Sequence, residues 1–219
     1  MTIARPFAAL SLASAVALAT VPALAVQDAS PQLPGQMDVT RVAAGTYATD
    51  PAHTLVGWRV NHFGFNDYFG SFGDAEGTLT IDPADPSSAT VDVTVPITSV
   101  SVVSEGLRDH LLRPGANGGD PDFFGPDPAP ARFVSDSVAV HEDGTSATVS
   151  GQLTMNGITR PVSMDVQFTG AGAHPRSGVE TIGFEGTTEI RRSEFGIDTA
   201  IPLVSDEVEL TISAAFEKQ

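Results

Sequence analysis

The sequence predicts an all-β domain of about eight antiparallel strands carrying one short helix. Three observations lead there. From Gly45 onward, apolar and polar residues alternate with period two in one segment after another, as in strands with one buried face. The segments are joined mostly by short connections, among them Asn156-Gly157, a strong hairpin signal, so neighbouring strands should run antiparallel. Only "SEGLRDHLL", residues 104–112, has helical spacing, with Ser104 placed to cap its N-terminus.

The strands can be justified in order. In "TLVGWRVNH", Val56, Trp58, Val60 and His62 share one face, and Leu55, Arg59 and Asn61 the other. "AEGTLTID" alternates Ala75, Gly77, Leu79 and Ile81 with Glu76, Thr78, Thr80 and Asp82, and "ATVDVTVPI" sets Val91, Val93, Val95 and Ile97 on one side. The same alternation predicts strands over 132–141, 145–155, 161–169, 180–191 and 207–216. Such a set fits a sandwich or a closed barrel, and periodicity does not choose between them.

What precedes the domain has a different composition. Arg5, an apolar run over 7–19 and the small-residue pattern Ala23-Leu24-Ala25 read as a secretory leader over residues 1–25, cleaved after Ala25. That apolar run is short for a transmembrane anchor, so the chain is not expected to be an integral membrane protein. Residues 26–44, containing proline and glutamine and lacking periodicity, read as a flexible linker before a domain over 45–219. The chain has no cysteine, so its core must be stabilised without disulfides, and export without cysteine points to a bacterial periplasm. A formal charge of −16 with a single lysine, Lys218, argues against binding nucleic acid or anionic membrane surfaces. A homodimer is compatible with this composition.

Catalytic signatures are sparse. There is no Gly-x-Ser-x-Gly elbow, phosphate loop or His-Glu-x-x-His helix. Ser193, beside Glu194, is either a nucleophile awaiting a distant base or a turn residue before Phe195-Gly196, and no local spacing supports the first reading. His53, His62, His110, His141 and His174 do not pair at metal-ligand spacing, and Asp120, Asp122 and Asp127 lack the ladder of a calcium loop. No catalytic residue, metal ligand or cofactor is therefore assigned.

Two segments suggest a ligand instead. "VNHFGFNDYFGSFGD", residues 60–74, holds five aromatic rings among glycines in what reads as a flexible stretch after a strand. "RPGANGGDPDFFGPDPAPARF", residues 113–133, is an irregular proline-rich loop that embeds Phe123-Phe124, and it is either lid-like or a plain insertion. Between them, Leu107 and Leu111 would anchor the helix and so direct Arg108, Asp109 and His110. The guanidinium and imidazole are then placed either to meet a polar ligand head or to hold the helix down.

Several stretches resemble the YceI family. They are "YATDPAHTLVGWRVNH", "RDHLL" followed by "DFF", "GQLTMNGITRPVSMDV", and "IRRSEFGI" with "VSDEVELTI", in that order over about residues 47–216. Two features depart from the family pattern: "RPGANGGDP" lengthens the link between the helix and "DFF", and Ala129-Pro130-Ala131 replaces a tyrosine-proline pair. The resemblance implies a lipocalin-like, eight-stranded antiparallel barrel, exported to the periplasm, that binds a polyisoprenoid chain (of quinone or polyprenyl phosphate type) without catalysis. On that basis Trp58, Val60, His62, Phe63, Phe65, Phe69, Phe72, Phe123 and Phe124 are expected at the walls and mouth of an apolar cavity, with Arg108 and His110 at a head group. The competing expectations are an enzyme acting on a hydrophobic small molecule through Arg108, His110 or His62, and a stress-related partner protein whose barrel is filled.

Overall fold

Alternating residues pair into ten strand segments of one antiparallel sheet in the computed structural model, which describes residues 32–219. The expected leader, its cleavage after Ala25 and the first part of the linker lie outside the described residues. In chain order the segments are β1 (Gly45–Thr49), β2 (Leu55–His62), β3 (Asn66–Phe72), β4 (Glu76–Ile81), β5 (Thr90–Val95), β6 (Ala131–Val140), β7 (Ser146–Met155), β8 (Ile158–Ala173), β9 (Glu180–Arg191) and β10 (Glu207–Lys218).

The sheet closes through β10. One half of that strand pairs with β1, Tyr47 opposite Lys218, and the other half with β2, Trp58 opposite Leu210. β1 and β2 thus act as one long strand interrupted by a turn, in which Asp50 accepts from the Ala52 N–H at 3.0 Å and meets His53 Nδ1 at 2.6 Å. β3 and β4 are likewise one strand broken at residues 73–75. Counted this way, eight strands form an antiparallel barrel in which chain neighbours are sheet neighbours. Closure removes the open edges that a sandwich would leave.

The turns follow local chemistry. Asn156 and Gly157 have φ of 52° and 74°, the left-handed pair that a two-residue hairpin turn needs between β7 and β8. The helix α1 (Glu105–Leu112) begins where Ser104 Oγ accepts from the Leu107 N–H at 3.2 Å. A bulge between Ser135 and Ser137 shifts the parity of β6, so that Phe133 before it and Val138 after it both face inward.

Two expectations are corrected. The aromatic-rich stretch after β2 is not a flexible segment: its residues 66–72 form β3, in register with β2 from Val56–Phe72 to His62–Asn66. Glycines at 64, 70 and 73 conceal the alternation there. The other correction concerns the linker, whose last part lies on the barrel. Gln36 exchanges main-chain hydrogen bonds with Ala171 (3.1 and 2.9 Å), and Val42 is buried with Tyr47, Phe168 and Phe216. Apolar Val42 gives this strap a side chain to bury that proline and glutamine content alone did not suggest.

The strap lies against one end of the barrel, beside the Pro83–Pro86 loop and the β6–β7 turn. The opposite end holds α1, the loop that follows it and the turn 192–195, whose Phe195 packs with Met155, Ile190, Ile197 and Val208.

Candidate functional site

The inward side chains of the barrel do not fill it. A cavity of about 540 Å³ runs along its interior, from the cluster packed at the α1 end toward the strap. Its wall is built by strand parity: Val91, Val93 and Val95 from β5, Val149, Leu153 and Met155 from β7, Val162, Met164 and Val166 from β8. Phe184 stands between Phe168 (5.8 Å between ring centroids) and Phe216 (6.2 Å), both edge-on, and all three rings line the space. Small residues keep it open. Ala75, Ala147, Gly186 and Ala214 line it where larger side chains would protrude.

Polar groups in the wall are already engaged. The hydroxyls of Thr49, Thr54 and Thr188 donate to the carbonyls of Ala75 (2.9 Å), Ala215 (3.2 Å) and Ser163 (2.8 Å). Arg132 borders the cavity, but its guanidinium is held by both carboxylate oxygens of Asp92, at 2.8 and 2.6 Å. The arrangement can therefore solvate an apolar chain and offers little to a buried polar group.

Of the eleven residues expected at the walls, mouth and head group, only Phe72 lies on the cavity wall, although inward strand residues read from the alternation, Ala75 among them, do line it. Trp58 and Val60 point into the interior, yet they pack in the cluster that plugs the α1 end, with the Trp58 indole stacked on Tyr68 at 6.2 Å. Phe123 and Phe124 belong to the same plug. The Phe124 N–H donates to the Leu111 carbonyl (3.0 Å), and its ring meets Phe72 edge-on at 6.1 Å. His62 meets Phe63 edge-on (4.2 Å between ring centroids) at the hairpin tip. Phe63, Phe65 and Phe69 are 45%, 87% and 62% exposed. They are outside the barrel because Phe63 and Phe65 occupy the β2–β3 turn and Phe69 has the outward parity of Arg59, its partner in register.

Arg108 and His110 are not at the cavity either. Arg108 donates through Nε to the Val100 carbonyl and through Nη2 to that of Thr98, each at 3.3 Å, and so pins α1 to the segment before it. His110 Nε2 lies 2.8 Å from Asp122 Oδ2, which also accepts from Arg113 at 2.7 Å. The Asp122 carboxyl is held below its usual range by the hydrogen bond from Arg113 first and that of His110 next. These groups fasten the long loop to the helix. Ser193 makes a similar fastening, its hydroxyl donating to Asp206 at 2.7 Å. Among the described residues no group of three or more histidines and carboxylates is placed to hold a metal, and no helix is long and apolar enough to cross a membrane.

The residues that do line the cavity include Phe133, Phe168, Phe184 and Phe216, none of which the sequence reading selected. Their signal was available. Each sits on the inward parity of a predicted strand, whereas attention to aromatic density favoured a hairpin tip.

Comparison with known proteins places this geometry. A family model described as the YceI-like domain matches residues 47–216. Protein YceI of Shigella flexneri is 36% identical over 168 residues, covering 76% of this chain and 83% of the relative. Among solved structures, BcnA of Burkholderia cenocepacia superposes with a TM-score of 0.61 at 23% identity, covering 76% of this chain and 98% of its own. A polyisoprenoid binding domain from Saccharophagus degradans superposes at 0.51 with 14% identity, covering 79% and 98%.

Proposed function

The chain belongs to the YceI-like family, and on that footing we propose that it is an exported, non-catalytic lipid-binding protein. Its lumen holds the tail of a polyisoprenoid or another long apolar ligand. The observation that carries this reading is the unfilled interior of about 540 Å³, walled by valine, leucine, methionine and phenylalanine. An eight-stranded barrel has room inside for one small ligand, and each buried methylene contributes about 0.8 kcal/mol. Ordering the tail offsets part of that gain, and the fixed translational and rotational cost of association must be met by what remains, so a long chain is favoured over a short one. The polyisoprenoid-binding description of the Saccharophagus degradans domain supports the ligand class, on a shared fold. Export to a periplasm rests on the leader over residues 1–25 and the absence of cysteine.

Native mass spectrometry of the protein purified from its own cell envelope tests the proposal. A single apolar species should copurify with each chain and leave on organic extraction. A ligand-free protein that also takes up no prenol in solution would overturn it.

A further inference from the structure

The lumen has a closed end and an open one, and they differ in chemistry. At the closed end Leu210, Ile190 and Met155 line the cavity and pack into the cluster formed with Trp58, Phe124 and Phe195. Along the wall the hydroxyls of Thr49, Thr54 and Thr188 already donate to main-chain carbonyls. A polar head taken to the closed end would lose its water for an apolar wall; the one buried donor there without a partner among the described residues, the Trp58 indole N–H, is packed in the plug and does not line the cavity. At the other end Val39 and Val140 line the same cavity while 42% and 38% exposed, so the cavity meets solvent there.

That opening is framed by the strap, the loop bearing Pro83 and Pro86, and the β6–β7 turn with Gly144 and Thr145. These segments carry Asp38, Asp82, Asp85, Glu142 and Asp143. Against them stands Arg41, whose Nη1 donates to the Pro34 carbonyl at 3.2 Å, and His141, held between Ser146 and Thr148. The Asp38 and Asp143 carboxyls are held below their usual range by hydrogen bonds led by the Thr40 and Ser146 hydroxyls, so they are ionised at neutral pH.

We infer that an amphiphile enters tail-first through the strap end and leaves its head among these carboxylates, on the far side of the barrel from α1. The site then accepts uncharged or cationic heads on an apolar tail and disfavours phosphate esters. This rests on the lumen being the lipid site and adds to it the direction of the ligand and the class of its head.

Trp58 is the single tryptophan and pairs in register with Leu210 at the closed end. Phe216, toward the strap, is six residues further along β10, about 20 Å away in an extended strand. Bromine quenches indole emission only at short range, so Trp58 reports which end of a ligand lies deep. Two long-chain alcohols of equal length serve as probes, one brominated at the tail terminus and one beside the hydroxyl, with occupancy measured by native mass spectrometry. The tail-brominated alcohol should quench Trp58, while the other at equal occupancy should leave emission near the unliganded level. Equal quenching, or stronger quenching by the head-brominated probe, overturns the orientation. If neither alcohol occupies the protein, the lumen reading itself fails.

A second arm compares the unbrominated alcohol with its phosphate monoester. The ester should bind about tenfold more weakly at low salt, with the gap narrowing as salt rises. In the double variant Asp85→Asn, Glu142→Gln the gap should narrow without added salt. Phosphate binding as tight as that of the alcohol, or a gap that ignores both salt and the variant, would remove the head from this rim.

Discussion

The Trp58 indole lies across Gly70, its partner in register on β3, in the space where a side chain at position 70 would stand. With Tyr68 stacked beside it and Val102 against the same position, the indole is wedged into the plug at the closed end. The pairing explains why a glycine interrupts an otherwise aromatic strand. Replacing Gly70 with Ala or Val should therefore displace the ring, at a cost of about 1–3 kcal/mol. Chemical denaturation checks this as a lower midpoint with an unchanged slope. An undisturbed midpoint would mean that the indole is free to move away.

Arg192 should be the most sensitive surface-distant residue at the same end. It is 5% exposed. Nε donates to the Ser205 carbonyl (2.8 Å), Nη1 to those of Ile197 (3.0 Å) and Thr199 (2.9 Å), and Nη2 to that of Val204 (2.9 Å). Burial pulls its pKa below the ordinary arginine value, although such a group stays protonated. Arg192→Met leaves these carbonyls without a donor and should cost about 3–5 kcal/mol. Arg192→Lys should rescue little, because one ammonium cannot reproduce the fork. Equilibrium unfolding of both variants decides the point, and a lysine variant of native stability would contradict this role.

The fastening of the long loop should depend on acid. Asp122 has a folded pKa lowered by Arg113 and His110. A carboxyl whose folded pKa is depressed contributes stability that is fully present above its unfolded value of about 3.9 and is lost as pH falls through the lower folded value. The readout is local: hydrogen exchange at the Phe124 N–H, which donates to the Leu111 carbonyl. Protection there should hold at neutral pH and fall once the medium is more acidic than about pH 4. In Asp122→Asn the protection should already be reduced at neutral pH and lose this acid-dependent step. Persistence of the step in the variant would assign it to another carboxylate.

Much of the fold was legible because each strand has one buried face. The alternation in Val91, Val93 and Val95 becomes cavity wall without exception, and the predicted strand over 180–191 coincides with β9. Closure was not legible in the alternation, and only the family resemblance led to the closed barrel that the structure has. It depends on β10 serving two partners, Tyr47 opposite Lys218 and Trp58 opposite Leu210, and such long-range register leaves no local mark. The candidate site was read less well for a related reason. Aromatic density drew attention to Phe63 and Phe65, but a hairpin tip exposes side chains whatever their polarity. Phe168, Phe184 and Phe216 are spread over three strands and meet only when the sheet curls. Arg108 was correctly placed on the helix, but its actual partners, the carbonyls of Thr98 and Val100, are main-chain atoms that no side-chain pattern reveals.

Gly186 offers the most direct test that the lumen is the binding site. It lines the cavity, and a Cβ there would make ordinary contacts with Ile212 and Val166 at 3.6–3.7 Å, so a larger side chain can be added without a backbone clash. Gly186→Leu should therefore project into the space a ligand tail would occupy. Wild type and variant are titrated with a long-chain prenol, with bound ligand counted by native mass spectrometry and folding followed by circular dichroism. The account predicts one prenol per wild-type chain and at least tenfold weaker uptake by a folded Gly186→Leu variant, since filling the lumen displaces several methylenes worth about 0.8 kcal/mol each. Equal uptake by the folded variant would place the lipid outside the barrel and contradict the account.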